Sequence, residues 1–184
     1  GKDPTWYKAA NPVRRCFNLA PLGGKPWEHK EDARKAFAAL PERGASAVPK
    51  LLLRLSDPDP AVRRYAVHML GAIGPSIGSA AFQQMTNCLS DVDDNVRNDV
   101  VWALQFHRPS EYPAEGLLPV YLSGLRDSFW LARQNAMGGL LLLGEKAAPA
   151  RPAIEKAATD ANEGVHQLAQ RWLDAKFRKE WDRE

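Results

Sequence analysis

The sequence is short of most features that advertise chemistry. No apolar run approaches the roughly 20 residues a membrane-spanning helix needs, the strongest being LLLL at 140–143. Cysteine occurs twice, as Cys16 and Cys88. That is too few for a disulfide framework or a zinc site, so both are read as unpaired thiols. No glycine-rich phosphate loop and no zinc spacing is present, and no nucleophile elbow is read. The histidines are His29, His68, His107 and His166, and none forms a metal-binding pair with glutamate; Glu28-His29 runs in the wrong order and occurs once. These absences leave no catalytic residue, no metal and no cofactor to assign.

A strong charge of one sign is lacking too. The net charge is +3. Residues 1–36 hold eight Lys/Arg against four acids, which leaves 17 bases and 18 acids for the rest of the chain. The totals therefore give no basic face of the kind nucleic-acid binding requires, so a nucleic-acid partner is unsupported by charge. Composition is that of a globular protein, with 45% hydrophobic and 26% charged residues, and 184 residues suffice for one sizeable core. The chain begins GKDPTW, without methionine or a signal peptide. The compartment is thus cytoplasmic by default, and exported if an upstream signal was removed.

What the sequence does have is a repeat. Aspartates at Asp57, Asp91, Asp127 and Asp160 are separated by 34, 36 and 33 residues. Five positions on stand Val62, Val96, Ala132 and Val165, followed by Arg63, Arg97, Arg133 and, departing from the pattern, His166. Leu70, Leu104, Leu140 and Leu173 close the frame. A period of this length means stacked helical units. The first helix of each ends just before the aspartate, with Pro49, Pro119 or Pro152 early in it. The second opens on a capping residue, Asp59, Asp93 or Asn162, and runs to Gly74 or Gly144. Val62, Ala66 and Leu70, spaced four apart, give its buried stripe.

These turns resemble the HEAT-like repeat family, in particular the short subclass named after phycobilin lyases. The matching residues are Asp-x-Asp-x-x-Val-Arg at 57–63 and 91–97, with degenerate copies at 127–133 and 160–166. The resemblance covers about residues 28 to 180. It implies an all-α fold, a right-handed α-solenoid of about four HEAT-like helix pairs plus a partial N-terminal unit. It also implies a binding scaffold rather than a reaction. Residues 1–27, with Trp6, Tyr7, Phe17 and Trp27, are expected to form an irregular N-terminal cap. Residues 28–184 form the solenoid, EDARKAFAALPERG (31–44) being the second helix of an earlier unit and DAKFRKEWDRE (174–184) a charged helical cap.

The recurring Asp and Arg are expected to be structural, bonding neighbouring turns to one another and so fixing the stacking. The binding surface is sought instead on the second helices, which line the concave side in such solenoids. The position after the repeated arginine reads Arg64, Asn98, Gln134 and Gln167, a polar row expected to face solvent. One turn later come His68, Trp102, Gly138 and Arg171. Trp102 beside Gly138 would make a shallow slot, with Asp99 on the same helix face; partial burial of Trp102 between helices is the competing reading. The candidate groove is thus Arg64, His68, Asn98, Asp99, Trp102, Gln134 and Arg171.

DSFWLAR (127–133) supplies a second candidate. It places Phe129 and Trp130 where the sibling turns carry Asp59-Pro60, Asp93-Asp94 and Asn162-Glu163. Ser128 is expected to take over capping. The two rings are either covered by Tyr112 or Pro113 of the preceding loop, or left exposed as an aromatic edge that anchors a partner. The reading is a non-catalytic scaffold for protein–protein interaction through the groove and the aromatic edge, with self-association open and no membrane contact. The alternative is a HEAT-repeat enzyme engaging DNA or a tetrapyrrole, similar in kind to the alkylpurine glycosylases or the lyases.

Overall fold

The computed structural model describes residues 44–105 and 114–174. The expected N-terminal cap, the helix expected over 31–44 apart from Gly44, the loop residues Tyr112 and Pro113, the charged tail after Asp174, and Cys16, His29 and His107 lie outside the described residues. The described residues form α-helices with short 3-10 segments at some of the connections, without a strand. In order these are α1 (Val48–Arg54), α2 (Pro60–Ile73), α3 (Ser79–Asn87), α4 (Asp94–Gln105), α5 (Ala114–Gly124), α6 (Trp130–Leu143), α7 (Arg151–Ala157) and α8 (Glu163–Leu173). Each repeated aspartate stands in the turn between two of them. Asp57 separates α1 from α2, and Asp91, Asp127 and Asp160 separate the later pairs. The chain divides into two units at Val100/Val101, inside α4.

In the first unit α1 packs on α2 and on α3, and α2 packs on α3. In the second, α5 packs on α6, α6 on α8, and α7 on α8. A helix therefore meets both its successor and its counterpart one unit along, which is how stacked repeats share a core. The sequence stripe supplies that core. Val62, Ala66 and Leu70 on α2, Val96, Val100 and Leu104 on α4, and Ala132, Ala136 and Leu140 on α6 are all buried. Each buried Val or Leu contributes roughly 1.5–3 kcal/mol. On α8, Val165 and Ala169 are buried, but Leu173, the last helical residue, is only half-buried.

Capping follows the frame at three turns. Asp59 accepts from the Ala61 N–H (2.9 Å), Asp93 from those of Asn95 and Val96, and Asn162 from that of Val165. Gly74 and Gly144 end α2 and α6 at φ 70° and 55°, a region that favours glycine. A third glycine is required by contact rather than conformation. A Cβ at Gly139 would lie 2.4 Å from the Tyr121 ring, so its absence lets α5 close on α6. Tyr121 is buried there and donates its hydroxyl to the Leu104 carbonyl at 2.9 Å.

Helix α5 departs from its siblings by starting earlier. Pro119 therefore falls inside it, whereas Pro49 and Pro152 stand in the first turns of α1 and α7.

Candidate functional site

The aspartate–arginine ladder comes first, because it commits Arg63, Asp91, Arg133 and Asp160 to the turns. Asp91 accepts from Arg63 through both oxygens, Nε–Oδ2 at 2.8 Å and Nη2–Oδ1 at 2.7 Å. Arg63 also donates Nη1 to the Asp57 and Pro58 carbonyls. In the second unit Arg133 repeats the pattern, bidentate to Asp160 and donating to the carbonyls of Asp127 and Ser128. Arg63 and Arg133 thus each clasp the turn before their own helix and the aspartate of the next turn, and Arg97 donates to the Asp91 and Val92 carbonyls of the turn before its helix. Hydrogen bonding from Arg133 outweighs burial and holds the Asp160 carboxyl below its ordinary value. At Asp91 burial acts upward, and Arg63 with the Asp93 N–H overrides it, so that carboxyl is lowered as well. The ladder is structural, as the repetition implies.

In the first unit Arg64, His68, Asn98 and Asp99 come together. The expectation that Asn98 belongs to a solvent-facing row is corrected, since it is only 5% exposed, and Asp99 is 3% exposed. Asp99 Oδ2 accepts from Arg64 Nε at 2.6 Å, and His68 Nε2 lies 3.1 Å from the same oxygen. Asn98 Nδ2 is 3.3 Å from Oδ1. Burial pushes the Asp99 carboxyl up, but the bonds from His68 and Arg64 prevail and leave it lowered. Its ionised form is thus stabilised by three donors. A carboxylate so enclosed is not presented to a ligand. It orients Arg64, whose side chain remains 41% exposed.

The candidate groove residues of the second unit are Trp102, Gln134 and Arg171. Trp102 on α4 is 41% exposed. The slot expected beside Gly138 is corrected, because the space a Cβ would take at Gly138 is already filled by the Gln105 amide, 2.6 Å away. Gln134 is half-buried, with its amide 2.9 Å from the point where Gly164 would carry a Cβ. Arg171 is exposed near the end of α8.

At DSFWLAR the capping residue is Phe129 itself, not Ser128. Phe129 has the extended backbone of an N-cap, φ −80° and ψ 115°, and no side-chain oxygen to offer. Its N–H donates to Asp127 Oδ1 at 2.8 Å. Trp130 is the first helical residue and is 44% exposed, whereas Phe129 is half-buried. The rings meet edge to face, 6.2 Å between centroids at 63°, a favourable geometry for an aromatic pair.

Two further features were not singled out from the sequence. Val92, in the Asp91 turn, is almost wholly exposed, and Leu142 leaves part of its side chain in solvent between buried Leu141 and Leu143. Ser76 in GPSIG (74–78) has the lettering of a nucleophile elbow. The segment is a 3-10 turn between α2 and α3, and an elbow needs a strand before it. A cavity of about 320 Å³ is lined by Leu52, Gln84, Cys88 and Asp91 among others. Its Asp91 is committed to Arg63 and its Cys88 thiol is pushed up by burial, so it holds no poised nucleophile. Among the described residues no three His, Cys, Asp or Glu gather as a metal site, and no helix is long and apolar enough to cross a membrane.

Helix pairs stacked through buried stripes, with an ion-pair ladder along their turns, define an α-helical repeat protein. The particular repeat is HEAT-like over residues 26–105, which match the family model of HEAT repeats. Among solved structures it is similar to a chain in the complex of CpcE and CpcF of phycocyanin lyase from Nostoc sp. PCC7120. The TM-score is 0.62 and the identity 20%, over 90% of this chain and 99% of that one. No curated protein matches the chain.

Proposed function

We propose that the chain is a non-catalytic scaffold that holds a protein partner, with Trp130 as the principal anchor and Phe129 as its support. One observation carries this reading. At the third aspartate turn a capping oxygen is replaced by Phe129, and the neighbouring Trp130 is left 44% exposed. Omitting an N-cap costs about 0.5–2 kcal/mol, and wet apolar surface forfeits roughly 25 cal/mol per Å². A partner that covers the rings recovers both. The scaffold reading is also supported by the solved neighbour, which stands in a two-protein complex of CpcE and CpcF.

The groove residues Trp102, Gln134 and Arg171 are proposed as accessory contacts, and Arg64 and His68 as contacts of the first unit. Asn98 and Asp99 support that first-unit surface from below. A second reading, engagement of a tetrapyrrole, draws on the likeness to the phycocyanin-lyase complex. Binding and spectroscopy separate the two. Trp130→Glu, the residue type of the equivalent Glu163, should abolish association with the partner, or with a second copy in sedimentation equilibrium, at an unchanged melting temperature. A bilin absorbance change on mixing, insensitive to Trp130→Glu, would support the lyase-like reading instead.

A further inference from the structure

We infer that Arg64 is a pinned receptor for a carboxylate of the protein partner, held in position by the buried Asp99. The contrast with the ladder arginines carries this. Arg63 and Arg133 each spend Nε, Nη1 and Nη2 on carboxylate oxygens and backbone carbonyls. Arg64 spends only Nε, on Asp99, and among the described residues makes no other hydrogen bond or ion pair. Its Nη1/Nη2 edge is therefore open, on a side chain 41% exposed. Two parallel N–H groups in one plane match the two oxygens of a carboxylate. The rest of the guanidinium is already fixed, so little rotamer freedom is lost on binding.

The pair is also not part of the repeat. The positions equivalent to Asp99 hold Tyr65, Asn135 and Leu168, and those equivalent to Arg64 hold Asn98, Gln134 and Gln167. Stacking at the other turns proceeds without such a pair, so a buried charge is retained here for something other than stacking. Burial of an ionised carboxylate is costly unless it is fully bonded. Asp99 satisfies that condition with Arg64, His68 and Asn98, all on α2 or α4. The result is a cation whose direction is set from beneath.

A carboxylate is favoured over a nucleic-acid phosphate because a phosphate backbone is tracked by several cations in a row. The row that holds Arg64 continues with Asn98, which is buried and uncharged. This inference rests on the scaffold reading, in which Arg64 is a contact of the first unit, and names the chemistry that contact takes. It uses neither Phe129 nor Trp130.

The test is titration of the full chain with labelled hexaglutamate, with inorganic phosphate and a DNA duplex as parallel arms. Binding is read by anisotropy and by the Arg64 Nε–H resonance. Arg64→Gln should weaken hexaglutamate binding by at least ~10-fold. Arg64→Lys should fail to restore it, because a point charge does not reproduce the fork. Arg151→Gln, at an exposed arginine paired with Glu155, should change it by less than ~2-fold. Arg64→Gln removes one of the three donors to buried Asp99 and should lower the melting temperature, so binding is compared at a temperature where parent and variants are fully folded. Trp130→Glu should leave hexaglutamate binding intact, so failure of the aromatic anchor and failure of this site are distinguishable. Equal binding by parent and Arg64→Gln overturns the inference, as does an absence of binding by the parent. Arg64-dependent binding of phosphate or duplex without hexaglutamate overturns it too.

Discussion

Leu70, Leu104 and Leu140 occupy one register position in three second helices, and none exposes any surface. Replacing Leu104 with Ala removes a packed side chain from a core that relaxes only partly. It should cost ~2–5 kcal/mol in urea unfolding; an unchanged midpoint would contradict the stacking register. Trp130 is the opposite case, an aromatic at a helix start with part of its ring in water. Trp130→Glu should shift stability by no more than about 0.5 kcal/mol, an acid in the first turn being favourable. A fall of several kcal/mol would mean that Trp130 is held by packing rather than kept for a partner. The leucines were legible in the sequence because burial there follows from a local period. Asn98 and Asp99 were not. Their donors Arg64 and His68 come from another helix, and a polar residue read alone is assigned to solvent.

At the scale of elements, the arginine clasp and the closure of α5 on α6 are the features that order the turns. Arg133→Ala strands Asp160 and two turn carbonyls, and should cost roughly 1.5–3 kcal/mol by thermal or urea unfolding. The pH dependence has a definite sign. Asp160 and Asp91 have folded values below their ordinary ones. Their contribution is therefore complete above the unfolded carboxylate value of about 3.9 and is lost as pH falls through the folded values. Between pH 5 and 2 the parent should lose more stability than Arg133→Ala, and parallel curves would contradict the clasp. Gly139→Ala drives a methyl into the Tyr121 ring and should cost about 1–3 kcal/mol. The clasp was legible because Asp and Arg recur in frame with the turns. The Gly139–Tyr121 and Gly138–Gln105 contacts were not, since each joins residues on different helices that no period relates. The early start of α5 was hidden as well. Aligning Pro119 with Pro49 and Pro152 assumed equal helix lengths.

At the scale of the whole molecule, an α-helical repeat chain with 17 bases against 18 acids beyond residue 36 has little net charge with which to track a phosphate backbone. Association through an aromatic anchor and one guanidinium should weaken only modestly between 50 and 200 mM salt. A phosphate-tracking protein would lose roughly 10³–10⁵-fold in affinity over that range. The repeat class was readable from four aspartate turns. The partner was not, because the residues proposed for recognition, Phe129-Trp130 and Arg64-Asp99, are exceptions to the repeat, and an exception marks a position without showing what meets it. The most direct test of the scaffold account places a photo-crosslinking amino acid at position 130 of the full-length chain in its own cell, with position 155, also exposed, as control. The account predicts a discrete protein adduct from position 130, a partner or a second copy, that is absent from position 155 and is competed by the parent chain but not by Trp130→Glu. Adducts equal at both positions, or none at position 130, would contradict it.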